Sequence, residues 1–195
     1  MSKVFISELD SAFAKALAAL FERNGFTVVT DPGEAVEYFI DTTETHVEGD
    51  DKKLGEGIDQ DVLVKSYDEL VCKPLARLEK AFHQMTGKKR ICFISTKNAS
   101  VNQSESQFGF GYNMAKAALH QIMMITKNTY VKEEDGYSFR LFDPMSGEYP
   151  AEKAAAAAYV YFTRDRYYDE DDHNTSRYDE WILMLRDALG REIPW

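Results

Sequence analysis

KVFISELDSAFAKALAALFERNGFTVV, residues 3–29, decides the fold. Lys3-Val4-Phe5-Ile6-Ser7 is a short apolar run with β-branched residues, which predicts a strand. Asp10 or Ser11 can cap a helix beginning directly after that strand. Phe13, Leu17, Leu20 and Phe21 recur at helical spacing, and Asn24-Gly25 ends that helix. Phe26-Thr27-Val28-Val29 is the next strand, closed by Asp31-Pro32-Gly33. Strand, helix, strand in this order is a βαβ unit, so the two strands should be parallel with a right-handed crossover.

The alternation continues outward. Val36-Glu37-Tyr38-Phe39-Ile40 predicts a third strand soon after the second, and residues 42–60 read as a polar rim loop. A long helix should run from Gln60 to Met85, with an apolar face of Leu70, Val71, Leu75, Leu78, Phe82 and Met85. Pro74 should bend or split it. Arg90-Ile91-Cys92-Phe93-Ile94-Ser95 is the clearest strand. A polar loop at 96–108 leads to a helix from Tyr112 to Tyr130, then a strand, Tyr137 to Phe142. Glu152 to Tyr161, with five consecutive alanines, predicts a helix packed close to a sheet. The acidic, tyrosine-rich 164–179 reads as a solvated loop, and Tyr178 to Leu189 as a short terminal helix. Ile193-Pro194-Trp195 is apolar and should dock on its own domain or a partner. With no repeat and no second boundary, the expectation is one α/β domain over residues 1–195, with a mostly parallel sheet and helices on both faces.

Composition narrows the function. The 195 residues carry a net charge of −10, which disfavours phosphate-backbone binding and docking to anionic membranes. No apolar run is long enough to span a bilayer. The start, MSKVFISELD, lacks a charged n-region before a long apolar stretch and reads as the beginning of the fold. Cys72 and Cys92 sit in apolar sequence without C-x-x-C spacing, and read as reduced core residues of a cytoplasmic protein. His46, His83, His120 and His173 show no metal-ligand spacing, and His83 and His120 read as interface or surface residues. Asp169-Glu170-Asp171-Asp172 lacks the spaced ligands and glycine of a calcium loop, so no metal is expected.

Tyr112-Asn113-Met114-Ala115-Lys116 places a phenol and an ammonium on one helix face. A neighbouring cation favours phenolate, so Lys116 should lower the pKa of Tyr112 and suit it to proton transfer. The pair follows the strand RICFIST and a polar loop. This arrangement resembles the short-chain dehydrogenase/reductase family, where a strand ending in Ser-Ser precedes a Tyr-x-x-x-Lys helix. VEYFIDTT stands where that family has its strand into Asn-Asn-Ala-Gly, YSFRLFDPM where a strand ends in Pro-Gly, and PAEKAAAAAYVYFTRD resembles the family's next helix. The likeness runs to about residue 165.

The resemblance implies a Rossmann-like, doubly wound fold, with Tyr112 as general acid/base and Lys116 as its pKa-lowering and ribose-holding partner. Thr96, or Ser95, would be the substrate-orienting hydroxyl, with Ser100 and Ser104 as rivals. Ser7, Asp31 and Lys116 take the positions that would touch a nicotinamide dinucleotide, Asp31 at the adenosine ribose. An Asp before Pro-Gly is equally a turn former.

Several positions depart from the family. Glu8, Ala12 and Ala14 stand where glycines would cradle the diphosphate. A carboxylate beside a diphosphate costs on the order of 1–4 kcal/mol. The chain omits a helix, a strand and a second helix after the second strand. Asp41-Thr42-Thr43-Glu44 replaces Asn-Asn-Ala-Gly, and Ser66-Tyr67-Asp68-Glu69 offers no counterpart to the family's helix Asn. The expectation is a protein that holds no NAD(P) tightly, a non-catalytic or partner-dependent subunit. It would form homo-oligomers, or hetero-oligomers with an active family member, through helices 60–85 and 112–130, which carry Leu78, Phe82, Ile122, Met123 and Met124. The alternatives are an NAD(P)-dependent oxidoreductase acting on a carbonyl or hydroxyl group, and a cofactor-independent lyase or isomerase using Tyr112 and Lys116.

Overall fold

A computed structural model describes residues 2–130, 136–164 and 183–194. A seven-stranded sheet has the spatial order β2-β1-β3-β4-β5-β6-β7. Its strands are β1 (Lys3–Ile6), β2 (Thr27–Val29), β3 (Tyr38–Asp41), β4 (Arg90–Ile94), β5 (Ser138–Asp143), β6 (Leu185–Asp187) and β7 (Glu192–Ile193). All neighbours are parallel except β6 and β7, which form an antiparallel edge. β1 pairs with β2 on one side and β3 on the other, so the strand order reverses there. Ligands of open α/β sheets bind above the carboxyl ends at such a point. Between β2 and β3 the chain passes through residues 30–37 with neither helix nor strand, in keeping with the shortening read from the sequence.

Strand alternation divides the core into two layers. On one face, Val4, Ile6, Cys92, Ile94 and Phe142 pack against helices α1 (Ala12–Arg23) and α5 (Ala151–Thr163). Ala154, Ala155 and Ala158 are buried there, and their small side chains bring α5 close to α1 and the sheet. On the other face, Phe5, Phe39, Ile91, Phe93, Phe139 and Leu141 meet Leu78, Phe82, Leu119 and Met123. Those four come from α3 (Lys73–Phe82) and α4 (Phe110–Tyr130). Each large apolar side chain so buried contributes roughly 1.5–3 kcal/mol. Ser11 caps α1 by accepting from the Ala14 amide, and Gly25, at φ 85°, takes the left-handed turn that ends it.

The expected long helix forms without a break, though it ends at Phe82 rather than Met85. α2 (Gln60–Tyr67) runs through a five-residue π turn, Asp68–Cys72, directly into α3. Pro74 lies at the start of α3, and the widened turn before it gives the ring room against the carbonyl four residues back. Leu75 lies partly exposed, off the apolar face assigned to it. Cys72 is also exposed, whereas Cys92 is buried, and both are free thiols. Of the expected terminal helix Tyr178–Leu189, residues 178–182 lie outside the described residues, and 185–187 form β6. Leu185 and Asp187 are buried beside β5, so tertiary pairing overrides the local helical pattern. The expected loop at 164–179 and Trp195 also fall almost wholly outside the described residues. No helix among the described residues is long and apolar enough to cross a membrane.

The start of α4 is set by a close approach to α2. A Cβ built on Gly111 would lie 2.4 Å from Ser66 Oγ and 2.8 Å from Ser66 Cβ. Gly111→Ala should therefore lower unfolding stability by about 1–3 kcal/mol in denaturant melts. Adding Ser66→Gly should recover part of that loss; an unchanged midpoint in Gly111→Ala would refute the close packing.

Candidate functional site

The carboxyl ends of β3, β4, β5 and β6 converge on the N-terminal half of α4. Asp50, in the loop after β3, fixes that helix end: its carboxylate accepts from the amides of Gly111 (2.8 Å) and Tyr112 (2.7 Å). Tyr112 is only 8 % exposed, and the His46 ring stacks on it with centroids 4.1 Å apart. Together with Ser95 and Thr96 they line a cavity of about 180 Å³. A second cavity, of about 410 Å³, lies on the other side of His46 and Tyr112 toward Asp50 and Phe108.

Tyr112, Lys116 and His120 form a buried stripe at i, i+4 and i+8 on α4. The Lys116 ammonium lies 5.8 Å from the Tyr112 ring centroid. It donates to the carbonyls of Thr43 (2.6 Å) and Ile94 (2.8 Å), tying α4 to the ends of β3 and β4. Burial lowers its pKa to about 8, against the attraction of Asp41, Glu44, Glu8 and Asp143. Tyr112 moves opposite to the sequence expectation. Burial, reinforced by the negative charges of Glu44 and Asp143, raises its pKa well above the ordinary value. Loss of water around the phenolate, and not the nearby lysine, decides the direction.

Ser95 Oγ and His120 Nε2 are hydrogen-bonded at 2.5 Å. Burial, with the Lys116 charge, lowers the His120 pKa to about 3, so the imidazole is neutral. His120 is thus part of the core, contrary to the surface or interface role read from the sequence. Its spacing from Lys116 was the available signal. Thr96 Oγ1 accepts from the Asn98 amide and caps a short 3₁₀ turn, Lys97–Ala99. Ser100 donates to the Pro194 carbonyl, and Ser104 is exposed. Ser95 and Thr96 are therefore the strand-end hydroxyls that share a cavity with Tyr112.

Above β1 and β3 the arrangement differs. Ser7 Oγ accepts from the Thr42 amide (2.9 Å), and Thr42 Oγ1 donates to the Glu8 carbonyl (2.7 Å). Thr43 Oγ1 donates to the Glu8 carboxylate (3.0 Å). Arg77, from α3, donates to Asp41 Oδ2 (2.9 Å) and to Thr43 Oγ1 (2.6 Å), and lies 3.9 Å from Glu8. These bonds bridge the first crossover turn to the end of β3, across the crevice where a dinucleotide would enter. Phe13 is core, stacked on Phe142. Asp31 closes its own turn, accepting from the Gly33 amide and from Lys80, and these two hold its carboxyl below the usual range. Neither cavity is lined by residues 7–14 or by Asp31. Ser7 and Asp31 are thus engaged within the protein, apart from Tyr112. Sequence reasoning missed Arg77, because nothing local marks an arginine that meets a carboxylate 36 positions away. Among the described residues no group of three or more His, Cys, Asp or Glu side chains could hold a metal ion.

No protein-family model matches the chain, and no curated protein matches it by sequence. Solved structures do. A carbonyl reductase from Pseudomonas aeruginosa PAO1 in complex with NADP superposes with a TM-score of 0.74 at 18% identity, covering 100% of both chains. A protein assigned to the short-chain dehydrogenase/reductases from Burkholderia multivorans, with bound NADP, gives 0.74 at 13% identity, covering 100% of this chain and 99% of the other. A short-chain oxidoreductase from Brucella ovis, with a partially ordered NAD, gives 0.63 at 12% identity over 84% and 93%. The chain has the Rossmann-like fold of these short-chain dehydrogenases/reductases.

The buried lysine has a pH signature. The unfolded chain holds the Lys116 proton up to its ordinary value of 10.5, and the native chain releases it near 8. Between these values unfolding takes up a proton, so raising the pH favours the native state. Wild type relative to Lys116→Met should gain roughly 1 kcal/mol per pH unit from pH 8 to 9 in denaturant melts. A flat difference would place the ammonium in water.

Proposed function

We propose that this chain is a short-chain dehydrogenase/reductase relative whose dinucleotide crevice is closed by its own side chains. It acts as a non-catalytic or partner-dependent subunit rather than as an NAD(P) enzyme. The observation that carries this reading is the bridge from Glu8 to Thr43 and Arg77. A diphosphate would have to displace those bonds and then lie against the Glu8 carboxylate. Lys116, the residue that would hold the nicotinamide ribose, already donates to two backbone carbonyls.

A second reading has its own support. Tyr112, Ser95 and Thr96 meet at one cavity with Lys116 beneath, and neighbours of the same fold were solved with NADP. An oxidoreductase acting on a carbonyl or hydroxyl group would use that cluster, with NAD(P) admitted only if the Glu8 bridge opens. Titration of the protein with NADPH, followed by the cofactor's fluorescence, separates the two. The first reading expects no saturable binding up to about 1 mM. Micromolar affinity, with carbonyl reduction that disappears in Tyr112→Phe, would establish the second.

Pairing would use the outward sides of α2 and α4, where Val64, Tyr67, Met114 and Ile125 remain exposed. Leu78, Phe82 and Met123 are buried against the sheet and leave that role, while Ile122 and Met124 are half-buried. Exposed apolar side chains on neighbouring helices favour a covered surface. Sedimentation should show a species heavier than the 22.3 kDa chain, and Ile125→Glu with Val64→Glu should return it to that mass. A monomer in wild type, at tens of micromolar, would defeat the pairing.

A further inference from the structure

We propose that the cavity at Tyr112 is a binding site for a small protonated amine, and that it works without a dinucleotide. Its lining carries four carboxylates, Glu44, Asp143, Glu148 and Asp187, against two cations, Lys97 and Arg191. Both cations are engaged. Arg191 is paired with Asp187 at 2.6 Å, and Lys97 lies between Glu105 and Glu148, at 3.6 and 4.0 Å.

Glu44 and Asp143 are left over. Glu44 accepts only from Ser146 Oγ (2.8 Å) among the described residues. Asp143 accepts from the backbone amides of Lys97 and Met145, at 2.6 and 2.7 Å, and no cation among the described residues lies within ion-pair distance of it. Burial raises the pKa of both carboxyls, at Glu44 against the opposing charge of Lys116; with Lys116 counted, four carboxylates still face three cations, two of them engaged at the rim.

Tyr112 supplies a second, independent observation. It is more than nine-tenths buried and lines the cavity, and its hydroxyl has no hydrogen-bond partner among the described residues. Glu44, Asp143 and Tyr112 all line this one cavity. An ammonium group placed there would neutralise the surplus charge, and a polar group attached to it would meet Tyr112 and the strand-end Ser95. The stacked His46 and Tyr112 rings add aromatic surface of the kind that attracts cations. A volume of about 180 Å³ is below the range typical of drug-sized ligands, which limits the guest to a few heavy atoms. The cavity lies over β3 to β6, away from the closed crevice at β1, so the NADPH titration and this proposal fail separately.

The test titrates ¹⁵N-labelled full-length protein with ethanolamine at neutral pH. Ethylene glycol and glycolate serve as neutral and anionic matches, and the readout is the amide shifts of Ser95, Lys97 and Tyr112. Ethanolamine should give saturable shifts, with ethylene glycol at least about 10-fold weaker and glycolate weaker still. Glu44→Gln, at a partly exposed position that need not disturb folding, should weaken ethanolamine about 5- to 10-fold. Asp143→Asn should do the same if its two backbone bonds persist, as its melting midpoint would report. Equal shifts from ethylene glycol or glycolate, an unchanged affinity in Glu44→Gln, or no saturable shift with ethanolamine overturns the proposal.

Discussion

The pairing of Arg77 with Asp41 organises the carboxyl end of the sheet. Asp41 closes β3 and is 2 % exposed, so its charge would be costly without a partner. Arg77 reaches it from α3 with two nitrogens and still has a donor for the Thr43 hydroxyl. Thr43 in turn donates to Glu8. One guanidinium thus fixes a helix, a strand end and the first crossover turn relative to one another. An arginine suits this place because its planar fork presents several donors at once, whereas a lysine would meet one acceptor at a time. The glycine-poor turn at residues 7–14 is compatible with that bridge, since Glu8 needs a side chain to reach across. The Glu8 side chain and the Arg77 contacts belong to one arrangement.

The open space at Tyr112 lies over the ends of β3 to β6, and α4 forms one of its walls. Lys116 is central because burial and its surroundings pull in opposite directions. Desolvation favours the neutral amine, while four carboxylates favour the cation. The outcome near 8 keeps the charge at neutral pH, where it can hold the Thr43 and Ile94 carbonyls. The same cation disfavours protonation of His120, whose neutral ring can therefore stay bonded to Ser95.

Periodicity made most of this fold legible, because its elements are decided locally. KVFIS and RICFIS alternate their side chains between two packed layers, and Phe13, Leu17 and Phe21 lie one helical turn apart on the buried side. The residues that failed are those whose state depends on partners distant in sequence. Residues 185–187 carry a helical pattern, but pair with β5 as an edge of the sheet. Cys72 sits in apolar sequence, yet the π turn rotates it outward. In the candidate site, the Tyr112–Lys116 face followed from helical spacing, whereas Ser95 and Thr96 came from the resemblance to a strand ending in Ser-Ser. The direction of the Tyr112 pKa did not follow, because spacing reports the nearby cation but not the loss of water or the carboxylates of Glu44 and Asp143.

That reversal bears on what the Tyr-x-x-x-Lys pair can do here. A phenol acts as a base only if its anion is accessible, and here the raised pKa keeps Tyr112 protonated. A protonated Tyr112 is a hydrogen-bond donor and a weak acceptor in a space dominated by carboxylates. Bringing a cation into that space would lower the phenol's pKa and those of Glu44 and Asp143 together, because burial is the chief cause of all three rises and a nearby cation favours each charged form. Lys116 does not offset the rise at Tyr112: it lies 5.8 Å from the ring centroid and is committed to two carbonyls. The chemistry open to Tyr112 therefore depends on the charge of whatever enters the cavity, and not on the helix pair alone.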